Sequence, residues 1–181
     1  MQDKEMKFRV RINPHNDLGT LAYYHVEAVK RKLDKNEEDG IALDGTSAVI
    51  AMAFYVESLL NFVGVKKLKD EWKERAPYSK KVALLSERLK FDYDKKVEPF
   101  ITLETLKKSR DNLAHGQPLE FETVVNSTRE LSGIMRPQWT LVTNHGLVIE
   151  AFKQVKIFKF MLFTKARIKA GAALTSAIGG G

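Results

Sequence analysis

Hydrophobic and polar positions change their period along the chain, and each change marks an element. Residues 6 to 12 alternate Met6, Phe8, Val10 and Ile12 with Lys7, Arg9 and Arg11, the period of two of a strand with one apolar and one basic face. One strand builds no sheet, so the segment reads as an arm that lies on the body or pairs with another chain, closed by Pro14 and Asn16-Asp17. From Asp17 to Asp34, Leu18, Leu21, Ala22, His25, Val26, Val29 and Leu33 recur every three to four residues, predicting an amphipathic helix capped by Asp17. The polar run over residues 34 to 43 reads as a loop.

From Thr46 to Val63 the chain is apolar almost all round, and Gly64 stops the run. A helix without a polar face belongs at the centre of a bundle. Its length, about 18 residues, also admits a membrane span. Glu57 and Asn61 lie within it one turn apart, and no second such segment follows, so the expectation is a core helix and no membrane. Two shorter helices are predicted at 66 to 76 and 78 to 90, separated by Pro77, and then a packed connector over 91 to 100. A helix over 102 to 115 ends at Gly116-Gln117-Pro118. Residues 119 to 133 read as a short helix, and 144 to 169 as a longer one rich in Phe152, Phe158, Phe160 and Phe163. The expected architecture is all-α: an arm over 1–16, one helical domain over 17–170 with four to five main helices, and a mobile Gly-rich tail over 171–181.

Composition changes this picture little. The 181 residues suit one core, and 44% hydrophobic with 29% charged residues is the balance of a globular chain. The net charge of +7 favours a polyanionic partner such as RNA, DNA or an acidic membrane surface, a merely solvated surface being the alternative. Zero cysteines exclude disulfides and thiolate chemistry. With no apolar signal region at the start, the expected location is the cytoplasm. His15, His25 and His145 show no metal-ligand spacing and no Gly-rich phosphate loop is present, so neither a metal nor a cofactor is expected. The phenylalanine stripe with its lysines suits core or dimer interface better than base stacking or a membrane.

The chemistry concentrates in Arg110-Asp111-Asn112-Leu113-Ala114-His115-Gly116. On a helical wheel Leu103, Leu106, Leu113 and Ala114 share the arc that meets the core, and Arg110 falls in its middle. A charge there needs a carboxylate or an interface, and Glu57 and Asn61 are the candidate partners. Asp111 stands four residues before His115, a spacing at which it can hold the imidazole. Arg110 and His115 diverge by about 140° on one helix, so they converge only if the arginine curls or two chains meet.

This run resembles the signature of the HEPN superfamily: an arginine, a polar residue, and a histidine after four intervening positions, followed by glycine. The resemblance covers residues 17 to 165. It implies a four-to-five-helix domain, a homodimer with two motifs facing one cleft, and a metal-independent RNA endonuclease of toxin–antitoxin or antiviral type, with an antitoxin protein as a possible partner. In that reading His115 transfers the proton, Arg110 stabilises charge on the phosphate, Asp111 and Asn112 orient them, and the product ends in a 2′,3′-cyclic phosphate. Glu57 and Asn61 form a supporting polar core, and Lys107 and Lys108 are candidate substrate contacts. Two departures stand out. Asp111 occupies a position that is most often Asn, and Gln117 stands where one subset of the family has a modifiable Tyr. A non-catalytic RNA- or protein-binding dimerisation module is the alternative the family offers.

Overall fold

The computed structural model describes residues 7–116, 120–134 and 144–180. Met6, Gln117, Pro118 and Gly181, which figured in the expected strand, helix stop and tail, lie outside the described residues, as does the N-terminal segment read for a signal. The elements run β1 (Lys7–Arg11), α1 (Pro14–Asp34), α2 (Ile41–Leu68), α3 (Tyr78–Leu89), α4 (Phe100–His115), α5 (Thr128–Ile134), α6 (His145–Lys165) and β2 (Ser176–Gly180), with 3-10 turns at Lys69–Glu71 and Ala170–Ala173. Among the described residues the chain is mostly helical, with one two-stranded ribbon.

Helix α2 is the centre, with α1, α3, α4 and α6 packed around it. Ala48, Val49, Met52, Leu59, Leu60 and Val63 are fully enclosed, and that burial on several sides accounts for its lack of a polar face. By length and composition alone the stretch Ile41–Glu71 is also apolar enough to cross a membrane. Its bounds differ from expectation at both ends. The helix begins at Ile41, inside the segment read as a loop, and runs past Gly64 to Leu68. Gly64 is no stop. The Trp72 ring lies on it so closely that a Cβ would sit 2.1 Å from the indole. The helix expected over 66 to 76 therefore does not exist as a unit. Its first residues belong to α2, and the chain turns back after Lys69 (φ 48°) to lay Trp72 against that glycine.

Helix α1 starts three residues earlier than predicted. Pro14 opens it, since the first helical position needs no N–H, and Asn13 precedes it in place of the expected Asp17 cap. The Asn13 amide donates to the carbonyls of Ala173 and Leu174, both at 3.0 Å, and Asn16 donates to Ala173 at 2.9 Å. These bonds carry the C-terminal segment to the N-terminal one. Residues 176 to 180, read as part of a mobile tail, pair antiparallel with β1, Arg11 opposite Ser176 and Lys7 opposite Gly180. The arm's partner is thus the segment 176–180 of the same chain. Main-chain pairing asks nothing of side chains, and Gly179 leaves room for the Phe8 ring, which a Cβ there would meet at 2.3 Å.

Candidate functional site

Helix α4 buries Phe100, Leu103, Leu106 and Ser109, one stripe that meets α2 and α6. The stripe ends there: Leu113 is half-buried and Ala114 exposed, so the last turn does not reach the core that the wheel assigned to it. Gly116 leaves the helix in extended conformation (φ −60°, ψ 132°), not the left-handed one that favours glycine at helix ends.

Arg110 does turn inward, as its place on the apolar arc requires. Its Nη1 donates to Glu57 Oε2 at 2.7 Å, and its Nε and Nη2 donate to Asp111 Oδ1 at 3.0 and 2.7 Å. The guanidinium also lies over the Phe54 ring, 5.6 Å from its centroid. Lys107, one turn earlier, donates to the other Asp111 oxygen at 2.6 Å. Glu57 Oε1 accepts from Lys81 of α3 at 3.0 Å, and Lys81 is only 1% exposed. Three cations thus share two carboxylates, leaving a surplus positive charge.

The electrostatics follow from that crowding. Burial pushes the Glu57 carboxyl up, but Lys81 and Arg110 outweigh it and hold the group below its ordinary value. Asp111 is likewise lowered, burial being overcome by Lys107 and Arg110. Arg110 is raised, because Asp111 and Glu57 return more than burial takes away. Its bonds use three of the five N–H groups of a guanidinium, and 22% of the side chain remains exposed.

The expected Asp111–His115 bond is not formed. Asp111 is committed to two cations, and a full charge one turn away outcompetes an imidazole at the same spacing. His115, Asn112 and Lys108 are exposed, with no hydrogen bond joining any of them to the network among the described residues. The structure therefore gathers Arg110, Asp111, Lys107 and Glu57 and leaves His115, Asn112 and Lys108 on the outside. Asn61 takes no part: its Oδ1 is enclosed without a partner. Two members were missed in the sequence. Lys81 falls between Tyr78 and Leu85 on the buried face of α3, where helical spacing flags a lysine among apolar positions. Phe54 carried no signal beyond its place one turn before Glu57.

Comparison with protein-family models, curated proteins and solved structures finds no match. Among the described residues no group of three or more His, Asp or Glu side chains converges as a metal site. Of the phenylalanine stripe on α6, Phe152 and Phe158 are core and Phe163 is half-buried, while Phe160 points outward, 75% exposed.

Proposed function

We propose that the chain is a HEPN-like, metal-independent RNA endonuclease acting as a homodimer. The observation that carries this reading is the end of α4. A braced, partly exposed arginine and a histidine with no hydrogen bond to the network project from one helix turn whose apolar positions, Leu113 and Ala114, are respectively half-buried and exposed among the described residues. A second copy across that turn covers the apolar positions and brings one chain's His115 toward the other's Arg110, which removes the divergence of about 140° within a single helix.

In the reaction His115 accepts the proton of the ribose 2′-hydroxyl or donates one to the departing 5′-oxygen. The 2′-oxygen attacks phosphorus as the 5′-oxygen leaves, and a 2′,3′-cyclic phosphate remains. Arg110, held by Glu57 and Asp111, presents its two unused N–H groups to the phosphate as charge develops on it. Lys108 and Asn112, both exposed, lie within the same turns of α4 as substrate contacts.

The test is cleavage of a mixed RNA in chelator by the wild type, His115→Ala and Arg110→Ala. Cleavage lost in both variants, with circular dichroism unchanged, supports the proposal; no cleavage, or cleavage that survives both substitutions, sinks it. The alternative, a non-catalytic RNA- or protein-binding module, draws on the commitment of Asp111 to cations rather than to His115. RNA affinity that falls with salt and is equal in wild type and His115→Ala, without cleavage, selects it.

A further inference from the structure

A groove of about 960 Å³ runs along α2 between the start of α1 and the end of β1, and no step of the nuclease reading takes place in it, although its wall shares Phe54 and Glu57 with the Arg110 network. Its size is that of a small-molecule site. Leu18, Phe54, Phe62 and Val65 line it, and Phe54 and Val65 remain 44% and 49% exposed. Two polar side chains are enclosed on its wall. Asn61 has its Oδ1 enclosed and unbonded. His15, only 1% exposed, has neither ring nitrogen in a hydrogen bond of good geometry.

The ends of the groove supply the charge preference. Arg11 Nη1 and Lys66 Nζ both donate to the carbonyl of Ala172, at 3.3 and 3.2 Å, so two cations converge on one neutral oxygen. Neither makes an ion pair with a described carboxylate. Of the two carboxylates on the wall, Glu57 is already answered by Lys81 and Arg110, and Glu74 is exposed to solvent. The first turn of α1, whose positive dipole end borders the same space at Asn13 and Pro14, adds to the preference for an anion.

We propose that this groove binds a small amphipathic carboxylate, its apolar chain lying along Phe54, Phe62 and Leu18 and its anionic head meeting Arg11 and Lys66. Neither cation belongs to the Arg110 network, although Phe54 and Glu57 are shared with it; a titration reads binding rather than cleavage, so its outcome is separable from that of the nuclease reading.

Calorimetric titration of the full chain with decanoate, kept below its micelle threshold, tests it against decan-1-ol, which has the same chain without the charge. Decanoate is expected to bind saturably at one site, with decan-1-ol and the Arg11→Gln/Lys66→Gln variant each weaker by about tenfold or more, the loss of a charge-assisted bond. Ser58→Trp, which fills the groove from the wall, is expected to remove binding. The proposal is overturned if decanoate shows no saturable binding, if decan-1-ol binds as tightly, or if both variants bind decanoate like the wild type. The comparison of the two ligands on the unaltered chain keeps the test decisive even if a variant fails to fold.

Discussion

Glu57 is the residue on which most depends. Its carboxylate answers Lys81 from one helix and Arg110 from another, and Lys81 is the more enclosed of the two cations. Losing one member of a buried ion pair costs about 3–5 kcal/mol, a figure to be reduced because Glu57 keeps 34% of its side chain in water. Glu57→Gln should then lower the unfolding free energy by about 2 kcal/mol in urea titration. Lys81→Met should cost less, because Glu57 would still hold Arg110 while the new side chain fills the same space; the opposite order in urea midpoints would mean that the carboxylate is not what stabilises this core. His15 gives a second, pH-dependent prediction. Enclosed against Phe62 and Phe163, at ring-centroid distances of 4.4 and 6.2 Å, it is lowered from 6.5 by burial and then by the charge of Lys159, with the Ala173 carbonyl acting against them. The unfolded chain therefore binds more protons below pH 6.5 than the folded one does. Its stability contribution is complete above that value and is lost as pH falls toward the depressed folded value. The wild type should lose stability between pH 7.5 and 5 more steeply than His15→Phe; parallel loss in the two chains would remove His15 as the cause.

At the scale of elements, the sequence shows what side chains decide and hides what the main chain decides. The Arg110–Glu57 pair was legible because an arginine on an apolar face has few ways to be satisfied. The Asp111–His115 pair was misread because the spacing rule for one turn applied equally to Lys107, and a lysine offers the stronger partner. The pairing of β1 with residues 176 to 180 left no pattern to read, since Ser-Ala-Ile-Gly-Gly contributes backbone and little else. Gly64 was misread for a related reason. Glycine ends many helices, but here the missing side chain makes room for an indole across the chain's turn. Alanine is the better helix former by about 1 kcal/mol, yet forcing a methyl into the Trp72 ring should destabilise by about 1–3 kcal/mol. Gly64→Ala is thus expected to melt lower and to shift Trp72 fluorescence toward that of an exposed indole. A higher melting temperature would mean that the ring gives way freely.

For the whole molecule the open question of assembly falls on the last turn of α4. If that turn is where two copies meet, Leu113→Lys should convert a dimer to a monomer in light scattering and abolish RNA cleavage while leaving the melting of the single chain nearly unchanged. A monomeric wild type that still cuts RNA would move the shared cleft out of the reaction. The α2 segment from Phe54 to Glu57 reaches further than either site alone. Phe54 and Glu57 both line the groove and both meet Arg110, so if each site binds its ligand the two should be coupled. Linkage is reciprocal: whatever factor an occupant of the groove imposes on the affinity of Arg110 for an anion, that anion must impose in return on the groove. Decanoate titrations with and without a nucleotide present should then give one coupling constant from either direction, and Glu57→Gln should abolish it if that carboxylate carries the coupling.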